Sequence, residues 1–115
     1  MVFADKFEIK YKLKFKKYLI TAMTIETTIL DFQLSNTFEQ YESHMNAEEQ
    51  QTMFKKMEVK TFYIGKSIDD PKRATVIFQG PENVLYDIFM NPETKPIVEA
   101  SGHIYAGTKI TRWIS

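Results

Sequence analysis

The sequence has no cysteine, and its four glycines and four prolines stand singly along 115 residues. The absence of cysteine excludes a disulfide framework, a thiol nucleophile and any cysteine-ligated metal or iron–sulfur centre. The isolated glycines exclude the glycine-rich loops that bind phosphates or dinucleotides. No apolar run approaches the roughly 18 residues that span a bilayer, so we do not expect an integral membrane protein. A chain without cysteine is compatible with a reducing compartment, and we expect a cytoplasmic protein.

The length and composition are those of one folded domain. Hydrophobic residues make up 43% and aromatic residues 14% of the chain, which is enough to build a core without disulfides. The net charge is zero, but residues 1–22 hold six lysines against two acidic residues, whereas the remainder holds nine basic and thirteen acidic residues. Nucleic-acid-binding domains usually spread Lys and Arg over a face of the fold. An acidic body with one basic end therefore indicates no nucleic-acid partner.

The basic leader, residues 1–22, contains an alternating stretch. Residues 7–15 read F-E-I-K-Y-K-L-K-F, which as a strand would have one apolar face and one charged face. Three interpretations are open: an added edge strand whose lysines block further pairing, an arm that binds a membrane surface or an anionic partner, or non-native upstream sequence with Met23 as the natural start. We favour the last, because a self-sufficient domain pattern begins at residue 23.

The pattern over residues 23–115 predicts alternating strands and helices. Residues 27–34 alternate as a strand. The helix that follows is broken near residues 44–46 and begins at one of two capping boxes, Asn36 with Glu39 or Thr37 with Gln40. The later elements are a strand from Val59 that ends at Gly65, a turn at 69–72 and a strand at 74–79. A helix starting at Pro81 is interrupted by Asn91-Pro92, Pro96 opens a further helical turn that Gly102 ends, and the last strand is at 108–114. The order β-α-β-β-α-β predicts an α+β ferredoxin-like sandwich, a four-stranded antiparallel sheet with both helices on one face.

The two faces of the predicted sheet are both partly apolar. The residues expected to meet the helices are Leu30, Phe32, Ala74, Val76 and Phe78. The outward face keeps Ile29, Ile77 and Trp113, together with either Tyr63 or Phe62 and Ile64, depending on register. Such a patch typically marks a partner surface, and two such sheets packed face to face give a twofold homodimer. We expect this homodimer, with Ile29, Asp31, Ile77 and Trp113 on its interface; the alternative is that the leader or the C-terminus covers the patch.

Short motifs in the body resemble those of a known family. They are M-T-I-E-T-T-I-L at 23–30, F-Y-I-G-K-S-I-D-D-P at 62–71, S-G-H-I-Y at 101–105 and T-K-I-T-R-W at 108–113. Residues 23–115 resemble an uncharacterised family of small cyanobacterial proteins, a domain of unknown function. Its fold class is similar to the dimeric α+β barrel superfamily, which includes small monooxygenases, chlorite-dismutase-like proteins and stress-responsive barrels. The resemblance implies the fold, dimerisation and a start at Met23, and it implies no activity.

Two histidines are the candidates for acid–base or metal chemistry. His44 lies at the predicted helix break, and His103 follows Gly102 after the second helix. Neither histidine has the spacing of a metal-ligand set, so a cap or a loop hydrogen bond is the simpler interpretation of each. His103 is the better functional candidate because the S-G-H-I-Y motif centres on it. We predict no metal site and no cofactor.

Asp31 is a carboxylate in the middle of a predicted central strand, and it must face outward if Leu30 and Phe32 face the helices. Buried at a dimer interface it would need a cationic partner, for which Arg112 or Lys109 is available. The functional alternative is a general base in a barrel cavity. The candidate pocket is lined by five residues, His103, Asp31, Tyr63, Trp113 and Arg112.

The functional hypotheses belong to three classes. The first is a non-enzymatic homodimer that binds a small molecule, whose identity the sequence does not indicate, or a protein partner. The second is a small oxygenase-like or haem-linked enzyme with His103 and Asp31 in one cavity. The third is a binder of membrane surfaces or anionic polymers that acts through the leader. We favour the first, because the sheet has two apolar faces and no catalytic motif is present.

Overall fold

The computed structural model describes residues 24–115. The strands are β1 (Ile25–Gln33), β2 (Lys60–Lys66), β3 (Arg73–Pro81) and β4 (Lys109–Ile114). The helices are α1 (Phe38–Met45), α2 (Glu48–Lys56), α3 (Val84–Met90) and α4 (Lys95–Ala100), and a 3₁₀ turn at Pro92–Thr94 precedes α4. The leader and its alternating stretch lie outside the described residues. Within the described range, no helix combines the length and the apolar character needed to cross a membrane.

The strands form one four-stranded sheet in the order β2-β3-β1-β4, and every neighbouring pair is antiparallel. Ile29 of the central strand β1 lies opposite Ile77 of β3 on one side and opposite Thr111 of β4 on the other. The chain passes through α1 and α2 between β1 and β2, and through α3 and α4 between β3 and β4. The prediction of an α+β fold with a four-stranded antiparallel sheet is confirmed.

The first helical segment begins and breaks where the local sequence predicts. Of the two possible capping boxes, the second forms: the Gln40 N–H donates to Thr37 Oγ1 and the Thr37 N–H donates to Gln40 Oε1, both at 3.1 Å. These reciprocal bonds satisfy two of the free N–H groups at the helix start. The helix ends at Met45 and a new one begins at Glu48, which confirms the predicted break.

The core lies between the helices and the inner face of the sheet. All five residues predicted to face the helices are buried: Leu30, Phe32, Ala74, Val76 and Phe78. They join a cluster with Tyr41, Met45, Phe54 and Met57 from the first helical segment and with Val84, Ile88 and Phe89 from α3. Alternation of buried and less buried residues along β1, and along β3 as far as Gln79, identifies one face of these strands as the core face.

The predicted start of the second helix at Pro81 is wrong. Pro81 is the last residue of β3, where it lies opposite Ile25, and α3 begins at Val84 after Asn83, whose φ of 72° is left-handed. Asn83 is held in this conformation by its backbone N–H, which donates to Glu26 Oε1 at 2.9 Å. The helix start thus depends on a carboxylate on another strand, which local signals do not contain.

Candidate functional site

A cavity of about 80 Å³ lies between the helices and the inner face of the sheet. Leu30 and Phe78 of the sheet line it, together with Met45 and Met53 from the first helical segment and with residues of α3 and α4. The cavity opens between the α1–α2 segment and the α3–α4 segment, because both contribute half-buried lining residues: His44, Gln50, Met53, Leu85, Ile97 and Val98. The lining is mostly aliphatic and aromatic, and none of the described residues that line it is acidic, lysine or arginine.

Four polar residues that line the cavity are almost completely buried: Tyr41, Thr94, Ser101 and His103. The hydroxyls of Thr94 and Ser101 donate to the backbone carbonyls of Ile88 and Val98. The loop that carries His103 is tied to the end of β1: Leu34 and His103 form a bridge, the Ser35 N–H donates to the Gly102 carbonyl at 2.8 Å, and Asn36 Nδ2 donates to the Ser101 carbonyl at 3.0 Å. Gly102 has a φ of 98°, which favours glycine, and a Cβ there would overlap the side chain of Asn36. The S-G-H-I-Y motif therefore positions His103 rigidly.

His103 is 3% exposed, and its ring stacks on Phe32 at 3.6 Å between centroids with 4° between the planes. Its Nε2 lies 2.7 Å from Thr108 Oγ1. Burial lowers the pKa of His103 from 6.5 to about 4, because the charged ring is poorly solvated there. At neutral pH the cavity therefore contains an uncharged imidazole.

Tyr41 is 1% exposed and its ring meets Phe32 edge-on at 5.3 Å. Burial raises the pKa of Tyr41, so the hydroxyl stays protonated. Within residues 24–115, no side chain or backbone group forms a hydrogen bond with this hydroxyl. The two deeply buried aromatic polar groups, His103 and Tyr41, are thus neutral at physiological pH.

A buried ion pair lies elsewhere on the inner face. Glu26 is 3% exposed and accepts two hydrogen bonds from Arg112, at 2.8 Å from Nε and 2.7 Å from Nη2, and one from the Thr28 hydroxyl at 2.8 Å. Burial on its own would raise the pKa of Glu26. The hydrogen bonds from Arg112, Asn83 and Thr28 and the charge of Arg112 outweigh burial and hold this pKa below its ordinary value.

Arg112 also borders a second, open cleft of about 460 Å³ over the inner face of β4. Its guanidinium lies 4.0 Å from the ring centre of Tyr86, and its Nη2 donates to Asn83 Oδ1 at 2.5 Å. The arginine is therefore committed to protein partners on several sides. Tyr105 lines the same cleft, and its hydroxyl donates to the Phe89 carbonyl at 2.6 Å.

The outer face of the sheet is not covered by any described residue. The strand registers align Tyr63, Ile77, Ile29 and Thr111 in one row across the sheet. A β-bulge between Thr61 and Tyr63 leaves both Phe62, 60% exposed, and Tyr63 accessible, and Trp113 is 59% exposed. We name this surface, made of Ile29, Phe62, Tyr63, Ile77 and Trp113, the outer apolar face.

Asp31 lies at one end of the outer face, as predicted, but its partner differs from the prediction. Asp31 Oδ1 lies 2.8 Å from Nε of Arg73. Arg112 cannot reach it, because Arg112 faces the helices, and Lys109, although directly opposite Asp31 in the β1–β4 register, forms no ion pair with it. The correction follows from alternation along β4, which puts Lys109 and Arg112 on opposite faces.

The five residues predicted to line one pocket lie in three places. His103 lines the inner cavity and Arg112 borders the open cleft. Asp31, Tyr63 and Trp113 lie on the outer side of the sheet. The four residues predicted for a dimer interface, Ile29, Asp31, Ile77 and Trp113, do share one face.

Sequence reasoning missed Glu26 and Tyr41. A signal for Glu26 was present, because the alternation that turns Thr28 and Leu30 inward also turns Glu26 inward, and a buried carboxylate requires a partner. Tyr41 lies at helical spacing with Phe38 and Met45, but this spacing does not reveal whether a hydroxyl has a partner.

The described residues contain no group of three or more His, Asp or Glu side chains that could hold a metal ion. Comparison with curated proteins finds no match, and comparison with solved structures finds none either. A family model described as a domain of unknown function, DUF3764, matches residues 25–115, which is most of the chain and includes every strand and helix described above. The chain therefore belongs to the DUF3764 family.

Proposed function

We propose that this protein is a non-enzymatic, homodimeric domain of the ferredoxin-like type that binds a small apolar molecule between its helices and its sheet. The observation that supports binding is the apolar cavity. Its lining is mostly aliphatic and aromatic, which is typical of small-molecule pockets. An apolar ligand that enters the cavity removes this lining and its own surface from water, which is favourable.

The placement of the polar groups supports binding over catalysis. An acid–base enzyme needs a proton acceptor and a second catalytic group within reach of the same substrate atoms. His103 lies at the inner cavity, whereas Asp31 lies on the opposite face of the sheet. No carboxylate among the described residues lines the cavity with His103. The oxygenase-like or haem-linked alternative therefore has less support than ligand binding.

Binding can be tested with toluene as a probe of the cavity, by NMR titration of the full chain with isotope labelling. We expect saturable shifts centred on residues that line the cavity. Val98→Phe should abolish them, because Val98 lines the cavity and the larger ring fills it. The matched control is Ile110→Phe, which makes the same kind of change in the open cleft and should leave toluene binding intact. Absence of saturable shifts in the wild-type protein would contradict the proposal.

The outer apolar face supports the homodimer. Its central row carries no charge, while Asp31, Arg73 and Lys109 lie together at one end. In a face-to-face dimer with its twofold axis along the row, this charged end of each copy lies away from the same end of the other. Uncharged apolar side chains then meet at the centre, which is where stable interfaces concentrate their apolar area. Such a pair of sheets is of the dimeric α+β barrel type.

Sedimentation velocity of the full chain tests the dimer. We expect the wild-type protein to sediment at twice its 13.5 kDa mass at micromolar concentration. Ile77→Lys should give a folded monomer, because it buries an unpaired charge at the centre of the interface. Thr52→Lys adds the same charge on the exposed side of α2 and should remain dimeric. A monomeric wild-type protein, or a dimeric Ile77→Lys variant, would contradict this arrangement.

A further inference from the structure

The hydrogen bonds around His103 determine which of its ring nitrogens is free. His103 Nε2 lies 2.7 Å from Thr108 Oγ1, and the tautomer of the ring sets which of these two atoms donates. Nδ1 has no hydrogen-bond partner among residues 24–115; it is a donor in one tautomer and an acceptor in the other.

Tyr41 supplies the complementary group. Its hydroxyl can donate one hydrogen bond and accept others, and within the described range it does neither. Tyr41 and His103 both contact Phe32, at 5.3 and 3.6 Å between ring centres, and both line the cavity. A polar group without a protein partner is available to pair with a bound molecule.

Resting on the proposed function, we infer that the cavity ligand is a neutral, single-hydroxyl molecule, a small alcohol or phenol, whose hydroxyl group forms hydrogen bonds with His103 Nδ1 and with the Tyr41 hydroxyl. A hydroxyl matches both free groups with one atom, since it is a donor and an acceptor at once. The remainder of the molecule must be apolar, because the other lining residues are mostly aliphatic and aromatic.

The charge of the lining residues and the volume of the cavity restrict the class of ligand further. No lysine, arginine or carboxylate lines the cavity among the described residues, and His44 is only half-buried, so the enclosed part of a charged ligand would lack a counter-charge. A volume of about 80 Å³ limits the enclosed part of the ligand to a few heavy atoms or a single ring. The Met45 and Met53 side chains in the lining are flexible, so the cavity can adjust slightly to the shape of the ligand.

Phenol and toluene test this inference, because they have nearly the same shape and phenol has a hydroxyl group where toluene has a methyl group. NMR titration of the full chain should show phenol binding about fivefold more tightly than toluene, the effect of a net hydrogen bond. Tyr41→Phe removes one of the two hydrogen-bond partners and should lower this ratio without weakening toluene. The control is Tyr105→Phe, which removes a hydroxyl outside the cavity and should keep the wild-type ratio. Benzoate, which is anionic, should not compete.

The outcomes separate this inference from the proposed function. If toluene binds and phenol binds no better, the cavity is a ligand site but the assignment of the hydroxyl is wrong. If Tyr41→Phe keeps the full wild-type ratio of phenol to toluene affinity, Tyr41 takes no part in the preference and the inference is again wrong. If neither probe binds the wild-type protein, the proposed function fails together with the inference.

Discussion

Strand β1 carries two carboxylates on opposite faces, and each of them pairs with an arginine. Glu26 faces the helices, is almost completely buried, and receives two hydrogen bonds from Arg112 and further ones from Thr28 and Asn83. Asp31 faces outward and makes one contact with Arg73, with both side chains about a third to a half exposed. The same residue types therefore form a structural anchor on one face and a solvated pair on the other.

Neighbouring aliphatic residues repeat this contrast. Val76 is fully buried in the core, whereas Ile77, the next residue of β3, is half-buried on the outer apolar face. The helices of the same chain cover the inner face of the sheet. The outer face is covered only when a second copy packs on it, as we propose. Substitutions made in pairs, one at an inner or buried position and one at an outer or control position, compare the stability that the two positions contribute.

The largest effect is expected at the two arginines. Arg112→Met leaves a buried carboxylate without its cation and should lower the free energy of unfolding by about 3–4 kcal/mol. Arg73→Met breaks an exposed pair and should cost less than about 1 kcal/mol. Urea denaturation of both variants measures the difference. Equal losses would show that the burial of Glu26 does not decide the strength of the pair.

Acid should weaken the inner face through His103. The unfolded histidine takes up a proton near pH 6.5 and the folded one only near pH 4, so the unfolded state binds more protons between these values. Stability should therefore fall as the pH drops from 6.5 to about 4, by about 3 kcal/mol in total at roughly 1.4 kcal/mol per pH unit. Urea denaturation as a function of pH measures this slope.

The control for the pH effect keeps the histidine. Tyr41→Phe changes the same cavity without removing His103, so its free energy of unfolding should depend on pH as in the wild-type protein. In His103→Gln this dependence should be weaker. Glu26 acts at lower pH, because its folded pKa lies below its ordinary value of 4.5 and its contribution is lost only as the pH falls through that folded value. A slope between pH 6.5 and 4 that survives in His103→Gln would assign the effect to another group.

Alanine at the neighbouring positions of β3 compares the two faces directly. Val76→Ala should cost about 2 kcal/mol at any protein concentration, because it leaves a cavity in the core. Ile77→Ala removes more atoms but should cost less than about 1 kcal/mol in dilute protein, where the outer face is solvated. At high concentration its cost should rise, since the dimer buries this residue. A cost that does not change with concentration would argue against the interface.

Local patterns were sufficient to predict much of the fold. Alternation along β1 and β3 identified the inner residues, because a strand repeats every two residues whatever it packs against. The break after Met45 followed from signals within a few residues. The register of β2 was left open between Tyr63 and Phe62 with Ile64. The bulge decided it by exposing both Phe62 and Tyr63, and the alternation rule does not provide for a bulge.

The site was harder to predict because it depends on contacts between distant residues. Glu26 and Arg112 are 86 positions apart, and Asn83 joins them only after β3 has paired with β1. The cavity is a gap left among side chains of several helices and the sheet, and no local pattern encodes such a gap. His103 was identified through its motif. Whether the Tyr41 hydroxyl has a hydrogen-bond partner depends on which side chains surround it in the folded chain, and no described residue is one.

The smallest expected effect on stability is at Tyr41, although Tyr41 is more deeply buried than Tyr105. Tyr105 is partly exposed, yet its hydroxyl donates to the Phe89 carbonyl at 2.6 Å, so Tyr105→Phe should cost about 1 kcal/mol. Tyr41 is the more deeply buried of the two, but its hydroxyl has no partner in the described part of the chain, so Tyr41→Phe should change stability by less than about 0.5 kcal/mol. Thermal and urea unfolding of ligand-free protein measure both. If Tyr41→Phe costs as much as Tyr105→Phe, the hydroxyl is already satisfied without a ligand, and the reason for assigning it to a bound alcohol or phenol disappears.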